Sequence, residues 1–190
     1  SADGQSALHH AIGENCTDIV DALISSGADV NIRCNNYTPL HRAAHIGNTE
    51  IIQLLLDNGA NPHLVDNDGF CPFHVAVANG RIEAVNILSA YSLNAVDVIG
   101  RGAIHHAAIC GFTQIVEILL DKGTDIDMRC NDNSTALHFA VGYHHHGCTR
   151  LLVERGADTN VVNVHGRTPL QIAQIGCYWN IVDYLKRHSK

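Results

Sequence analysis

An apolar residue followed by histidine recurs along this chain at near-constant intervals: Leu8-His9, Leu40-His41, Phe73-His74, Ile104-His105 and Leu137-His138, with Leu170-Gln171 as a sixth copy. The intervals are 32, 33, 31, 33 and 33 residues. A fixed period of this size implies a stack of repeats, because so short a unit cannot bury its apolar faces alone and must lean on its neighbours. Eighteen residues after the first five histidines stand Gly27, Gly59, Ser92, Gly123 and Gly156, so differences in length are confined to the connections. The copies fall at about 1–32, 33–65, 66–96, 97–129, 130–162 and 163–190, read together as a single domain over 1–190.

The second copy shows what one unit folds into. Thr38-Pro39-Leu40-His41-Arg42-Ala43-Ala44 opens with a capping hydroxyl and a proline at the first helical position. The pattern predicts a short helix that reaches Ile46 and stops at Gly47. A second helix is expected from Asn48 to Asn58, with Ile51, Ile52, Leu54, Leu55 and Leu56 largely on one side and Gly59 ending it. The turn Asp66-Asn67-Asp68-Gly69 then carries the chain out and back in an extended finger before the next unit. Helix, turn, helix and finger make an all-α solenoid carrying β-turn or hairpin fingers.

These units resemble ankyrin repeats. The family's Thr-Pro-Leu-His-x-Ala stands intact at Thr38 to Ala43 and nearly so at Ala7 to Ala11 and Thr135 to Ala140. Gly-Ala-Asp-x-Asn occurs at Gly27 to Asn31 and again at Gly156 to Asn160. The likeness covers essentially the whole chain, with one weak stretch. Ser92-Leu93-Asn94 replaces the usual Gly-Ala-Asp, the third finger is two residues short, and Gly102-Ala103 replaces Thr-Pro. Stacking is expected to be least regular from Asn94 to Gly102.

The resemblance implies a structural role for His9, His41, His74, His105 and His138, each ring bonding to neighbouring backbone in the loops. It implies a concave partner-binding face built from the fingers and the first helices. Following the family's variable positions, that face would use Asn35, Tyr37, His45, Ile46, Asn67, Asp68, Phe70, Asn79, Val98, Ile99, Arg101, Ile109, Asp132, Tyr143 and Arg167. Tyr37, Ile46, Phe70, Val98, Ile99 and Ile109 would supply an apolar middle with a polar rim, as in anchored protein interfaces. The competing reading is that some of these side chains pack between adjacent fingers. Arg42, Arg101 and Arg167 could answer an acidic residue on a partner. Leu23 to Asn31 also fits the pattern modified by the asparaginyl hydroxylase of the hypoxia pathway, and Leu152 to Asn160 fits it with Thr159 in the apolar slot, making Asn31 and Asn160 candidate hydroxylation sites.

Other functions find little support. With 12 Lys plus Arg against 19 Asp plus Glu the net charge is −7, a poor basis for neutralising nucleic-acid phosphates. Apolar runs such as Ile51 to Leu56 are interrupted, so no stretch is long enough to insert in a membrane. There is no Gly-x-Ser-x-Gly elbow, no phosphate-cradling loop ending in Lys and no His-Glu-x-x-His, so no enzyme and no cofactor are expected. The run His144-His145-His146 with Cys148 has metal-binding residue types, but consecutive residues on a turn rarely converge on one ion, so no metal site is expected. Seven cysteines without a Cys-x-x-Cys pair read as free thiols of a reducing compartment, cytoplasmic or nuclear. Cys34 and Cys130, at equivalent finger positions, are expected to be exposed or half-buried. The expected function is a non-catalytic module binding a peptide or protein, monomeric as an isolated domain and part of a larger protein. The alternatives are a structural spacer or tether in a membrane or cytoskeletal protein, and a substrate-selecting or regulatory arm of a ubiquitin ligase or other enzyme.

Overall fold

Pro39 occupies the first turn of a helix, where its missing N–H needs no partner, and the Thr38 hydroxyl accepts the His41 backbone N–H. The helix Pro39–Ile46 therefore starts where the sequence predicts, and Gly47 ends it in the left-handed region. Asn48 caps the next helix, Thr49–Asp57, by accepting the Ile51 N–H at 3.0 Å. This pair recurs throughout residues 6–188, which are the residues described by the computed structural model.

In chain order the helices are α1 (Ala7–Gly13), α2 (Thr17–Ser25), α3 (Pro39–Ile46), α4 (Thr49–Asp57), α5 (Pro72–Ala78) and α6 (Ile82–Ser92), then α7 (Ala103–Cys110), α8 (Thr113–Asp121), α9 (Ala136–Gly142), α10 (His146–Glu154), α11 (Pro169–Ile175) and α12 (Trp179–His188). Among the described residues the only strand-like pairing is two isolated bridges, Cys34 with Tyr37 and Val96 with Gly102. The architecture is all-α. It divides after Ala95 into two compact units of three helix pairs each. In the first, α1, α3 and α5 pack in one row, with α2, α4 and α6 in a second; in the second unit α7, α9 and α11 form one row and α8, α10 and α12 the other.

Small side chains let the first-row helices approach closely. Ala43, Ala44 and Ala76 in the first unit, and Ala107, Ala108, Ala136 and Ala140 in the second, are wholly buried. Leu40, Ile51, Ile52, Leu55, Phe73 and Leu88 fill the first core, while Ile104, Ile115, Leu119, Leu137 and Leu152 fill the second. Each such side chain contributes roughly 1.5–3 kcal/mol of burial.

The turn between paired helices demands a left-handed residue. Asn15, Gly47, Gly80, Gly111, His144 and Cys177 all have positive φ and follow the same spacing as the histidines. Glycine and asparagine adopt this conformation readily, whereas His144 (φ 61°) and Cys177 (φ 57°) hold it against steric resistance.

Each of the first five repeats closes around its histidine. In the second repeat the Thr38 backbone N–H donates to His41 Nδ1 at 3.2 Å, and His41 Nε2 lies 2.9 Å from the Phe70 carbonyl. A carbonyl only accepts, so Nε2 carries the proton and the imidazole is neutral. Equivalent Nε2 bonds run from His9 to Tyr37 (3.0 Å), His74 to Ala95 (3.0 Å), His105 to Met128 (2.9 Å) and His138 to Arg167 (3.2 Å). Each ring fixes a helix start and ties it to the finger that follows. In the sixth repeat Gln171 keeps the first of these tasks, accepting the Thr168 N–H at 2.9 Å.

Where α2, α4, α8 and α10 are followed by a left-handed glycine, the third repeat has Ser92 and then Leu93 at φ −52°, and α6 runs to 11 residues. The division between the two compact units falls inside the expected irregular stretch, between Ala95 and Val96.

All seven cysteines are free thiols. Cys34 is half-buried, as expected, but Cys130 is buried at 8% exposure. Its thiol turns inward to donate to Asp132 Oδ1 at 2.9 Å, with the Ser134 carbonyl 3.4 Å away, and so becomes part of its own finger.

Candidate functional site

Finger geometry decides which of the candidate side chains are exposed. The second finger is a tight hairpin: Cys34 and Tyr37 exchange backbone bonds of 2.9 and 2.8 Å around Asn35 and Asn36, both left-handed, at φ 51° and 63°. The third, fourth and sixth close on an acid or amide at the finger base. Asp66 Oδ1 accepts the N–H groups of Asp68 and Phe70, Asp97 Oδ1 those of Ile99 and Arg101, and Asn163 Oδ1 those of His165 and Arg167.

In the first unit the two aromatic candidates serve the frame as well as the surface. Tyr37 and Phe70 are half-buried, their rings 5.0 and 5.6 Å from those of His41 and His74. Burial pushes the Tyr37 phenol up to about 12. Asn35, His45, Asn67 and Asp68 are exposed, and Ile46 is half-buried. Asn67 is engaged sideways, accepting from Asn36 Nδ2 at 2.8 Å, and Asn79 donates back to the Val75 carbonyl at the end of α5. A cleft of about 310 Å³ opens between His9, Cys34, Asn35, Tyr37 and Arg42.

In the second unit Val98 and Ile99 stand clear at 65% and 43% exposure, with Tyr143 at 56%. Asp132 and Arg167 are also exposed, while Arg101 and Ile109 are half-buried. The Arg101 guanidinium lies 5.0 Å above the Phe139 ring. Backbone bonds from Asn131 N–H to the Ile99 carbonyl and from Val164 N–H to the Asp132 carbonyl join successive fingers. A cleft of about 360 Å³ is lined by Ile99, Arg101, Cys130, Asn131, Asp132 and Val164. Of the residues expected to form an apolar middle, Tyr37, Ile46 and Phe70 lie in one unit and Val98, Ile99 and Ile109 in the other.

One internal pair was missed in the sequence. His106, the second member of a His doublet, is buried against Asp97 with Nε2 and Oδ2 3.1 Å apart, so the Asp97 carboxylate ties the fourth finger to α7. Its only signal was the doublet itself.

The histidine run separates in space. His145 Nε2 lies 2.8 Å from the Ile109 carbonyl, His144 stacks on Tyr178 at 4.4 Å, and His146 meets the edge of Tyr184 at 5.9 Å. The three rings have three different neighbours. By contrast the frame histidines share one electrostatic setting: burial pushes His9, His41, His105 and His138 below their ordinary value, against the opposing pull of their carbonyl partners.

Of the two asparagines flagged for modification, Asn31 is a cross-brace. Its Nδ2 donates to the Gly59 carbonyl at 2.9 Å and its Oδ1 accepts the Asn61 N–H at 2.7 Å. Asn160 is exposed, with its N–H on Asp158. Among the described residues no helix is long and apolar enough to cross a membrane.

Comparison with known proteins agrees with this architecture. A family model described as ankyrin repeats, in three copies, matches residues 1–66, 40–132 and 104–190. The chain is 30% identical to human SH3 and multiple ankyrin repeat domains protein 2 over 93% of its own length and 10% of that protein. It is 32% identical to the mouse B-cell lymphoma 3 protein homolog over 90% of its length and 40% of the relative, and 32% identical to human palmitoyltransferase ZDHHC13 over 97% and 31%. The chain therefore spans well under half of each of these relatives. Its helix pairs, its finger-bound histidines and a family match running from end to end make this chain a member of the ankyrin repeat family.

Proposed function

We propose that this chain is a non-catalytic recognition module that binds a protein or peptide through its fingers and first-row helices. Ankyrin repeats are protein–protein interaction modules. The observation that carries the reading here is the exposure of Val98 and Ile99, apolar side chains at a finger tip that serve no buried core. Apolar groups flanked by Arg101, Asn131 and Asp132 give an anchor with a polar rim. The reading places the chain inside the cell, in the cytoplasm or nucleus, which its free thiols favour.

The test is proximity crosslinking in cell lysate, comparing the native chain with a Val98→Ser, Ile99→Ser variant of equal melting temperature. A partner captured by the native chain and lost by the variant supports recognition at this face. Identical capture by both moves the interface elsewhere. The regulatory-arm alternative draws on relatives named as a palmitoyltransferase and, at 27% identity, as the E3 ubiquitin-protein ligase KEG of Arabidopsis thaliana. Asn31 and Asn160 remain proposed hydroxylation sites. A one-oxygen mass gain on either in protein from native tissue supports this, and unmodified peptides at both remove it.

A further inference from the structure

The cleft beside Arg42 holds a cation without an anion. Arg155 lies between Asp121 and Glu117, Arg150 faces Glu154, and Arg81 donates to the His45 carbonyl. Arg42 has neither ion pair nor side-chain hydrogen bond among the described residues, and its Nε is fully enclosed without a partner. A guanidinium carries five N–H donors in a fixed fork matched to a carboxylate, and here the enclosed Nε–H is left without an acceptor. Packing holds the group in place. A methyl on Gly13, at the end of α1, would stand 3.0 Å from Nη2 and 3.5 Å from Nε, so the absence of a side chain there leaves the space the guanidinium fills.

The surroundings are suited to an incoming acid. The cleft lining of His9, Cys34, Asn35, Tyr37 and Arg42 contains no carboxylate, although Asp66, outside it, acts on Tyr37. The positive charge of Arg42 acts on His9 and Tyr37, which line the cleft with it, and on His45 outside it. The corresponding cleft in the second unit differs. There Arg101, whose Nε is likewise enclosed without a partner, shares the lining with Asp132, whose carboxyl would repel a second acid. The paired Asn35 and Asn36 fix the finger that forms one wall, so the cleft is shaped before any partner arrives.

We infer that this cleft is a docking site for one acidic side chain, Asp or Glu, carried by an extended segment of a partner protein and gripped by the Arg42 fork. The inference rests on the recognition reading above and names the chemistry of the partner. The chain's overall charge of −7 does not oppose it, since at physiological salt fields from exposed acids more than about 8 Å away are largely screened.

The experiment uses a displayed library of random peptides selected on the native chain. Enriched peptides are expected to carry Asp or Glu at one shared position. Exchanging that acid for its amide should weaken binding to the native chain about tenfold, and Arg42→Gln should weaken the parent peptide equally. Combining the two changes should weaken binding no further than either alone, which marks the two groups as partners. The peptide exchange needs no protein variant, so it decides the matter even if Arg42→Gln folds poorly. Enriched peptides without a shared acid, or with one whose amide binds equally well, overturn the inference. If such peptides are still lost with Val98→Ser, Ile99→Ser, the recognition reading survives without it. A library that yields no peptide bound at either finger face removes both.

Discussion

Mild acid should unfold this protein through its frame histidines. His9, His41, His105 and His138 are at most 3% exposed, and each donates Nε2–H to a carbonyl while Nδ1 accepts at the cap. A second proton would have to sit on Nδ1, facing a donor. Burial accordingly holds all four below the ordinary imidazole value of 6.5. Other groups modify the effect: Asp66 pulls His41 upward while Arg33 and His9 push it down, and Asp97 and Arg101 do the same to His105. The folded-state values are depressed, so above about pH 6.5 both states are neutral at these sites and full stability is present. Below it the unfolded chain takes up protons that the fold refuses, and stability falls until the folded-state values are reached.

At pH 5.5 each histidine that stays neutral in the fold costs about 1.4 kcal/mol, so the four together reach at most about 6 kcal/mol. That is comparable with the 5–15 kcal/mol stability of an ordinary domain. Urea unfolding at fixed temperature between pH 7.5 and 5.5 measures it, and the window lies above most carboxylate titration. A His41→Gln variant provides the control, because glutamine keeps the cap as Gln171 does but cannot titrate. It should start less stable at pH 7.5, by about 1 kcal/mol for the lost finger bond, and show a shallower decline. Stability that is flat across this window, or a decline unchanged by His41→Gln, would refute the reasoning.

Three further outcomes follow from local geometry. Cys177→Gly relieves a left-handed residue whose side chain is exposed, and should stabilise by about 1 kcal/mol, raising the melting temperature by roughly 2–4 °C; a lower melting temperature contradicts the strain. Asp97→Ala removes the acceptor for the Ile99 and Arg101 N–H groups and the buried partner of His106, and should cost about 3 kcal/mol. Hydrogen exchange at those two amides should accelerate, and undiminished protection argues against the role given to Asp97. Ile104→Ala, at a wholly buried position, should destabilise by about 2–5 kcal/mol in chemical denaturation; a change below about 1 kcal/mol would mean the second core collapses around the gap.

Repetition explains what could be read in advance. Thr38, Pro39, His41 and Gly47 act within a few residues of one another, and the same or a substitute residue returns at each position from copy to copy, so spacing alone located the helix starts, the turns and the histidine frame. The irregular stretch at Asn94 to Gly102 was legible for the same reason, since a departure shows against five regular copies. Residues that occur once have no such background. The inward turn of Cys130 depends on Asp132, which no other copy matches with a thiol, and the burial of His106 depends on an aspartate nine residues away across a shortened finger. Arg42 illustrates the point most sharply. Sequence marked it only as one of three arginines that could answer an acidic residue on a partner, and its enclosed, unpaired Nε became visible only when Gly13 and the Asn35-Asn36 turn were seen around it. A repeat array must keep its frame alike from copy to copy in order to stack, and whatever distinguishes one partner from another must lie where the copies differ. The positions least predictable from the period are therefore the ones where specificity has to be sought, and Arg42 lies among them.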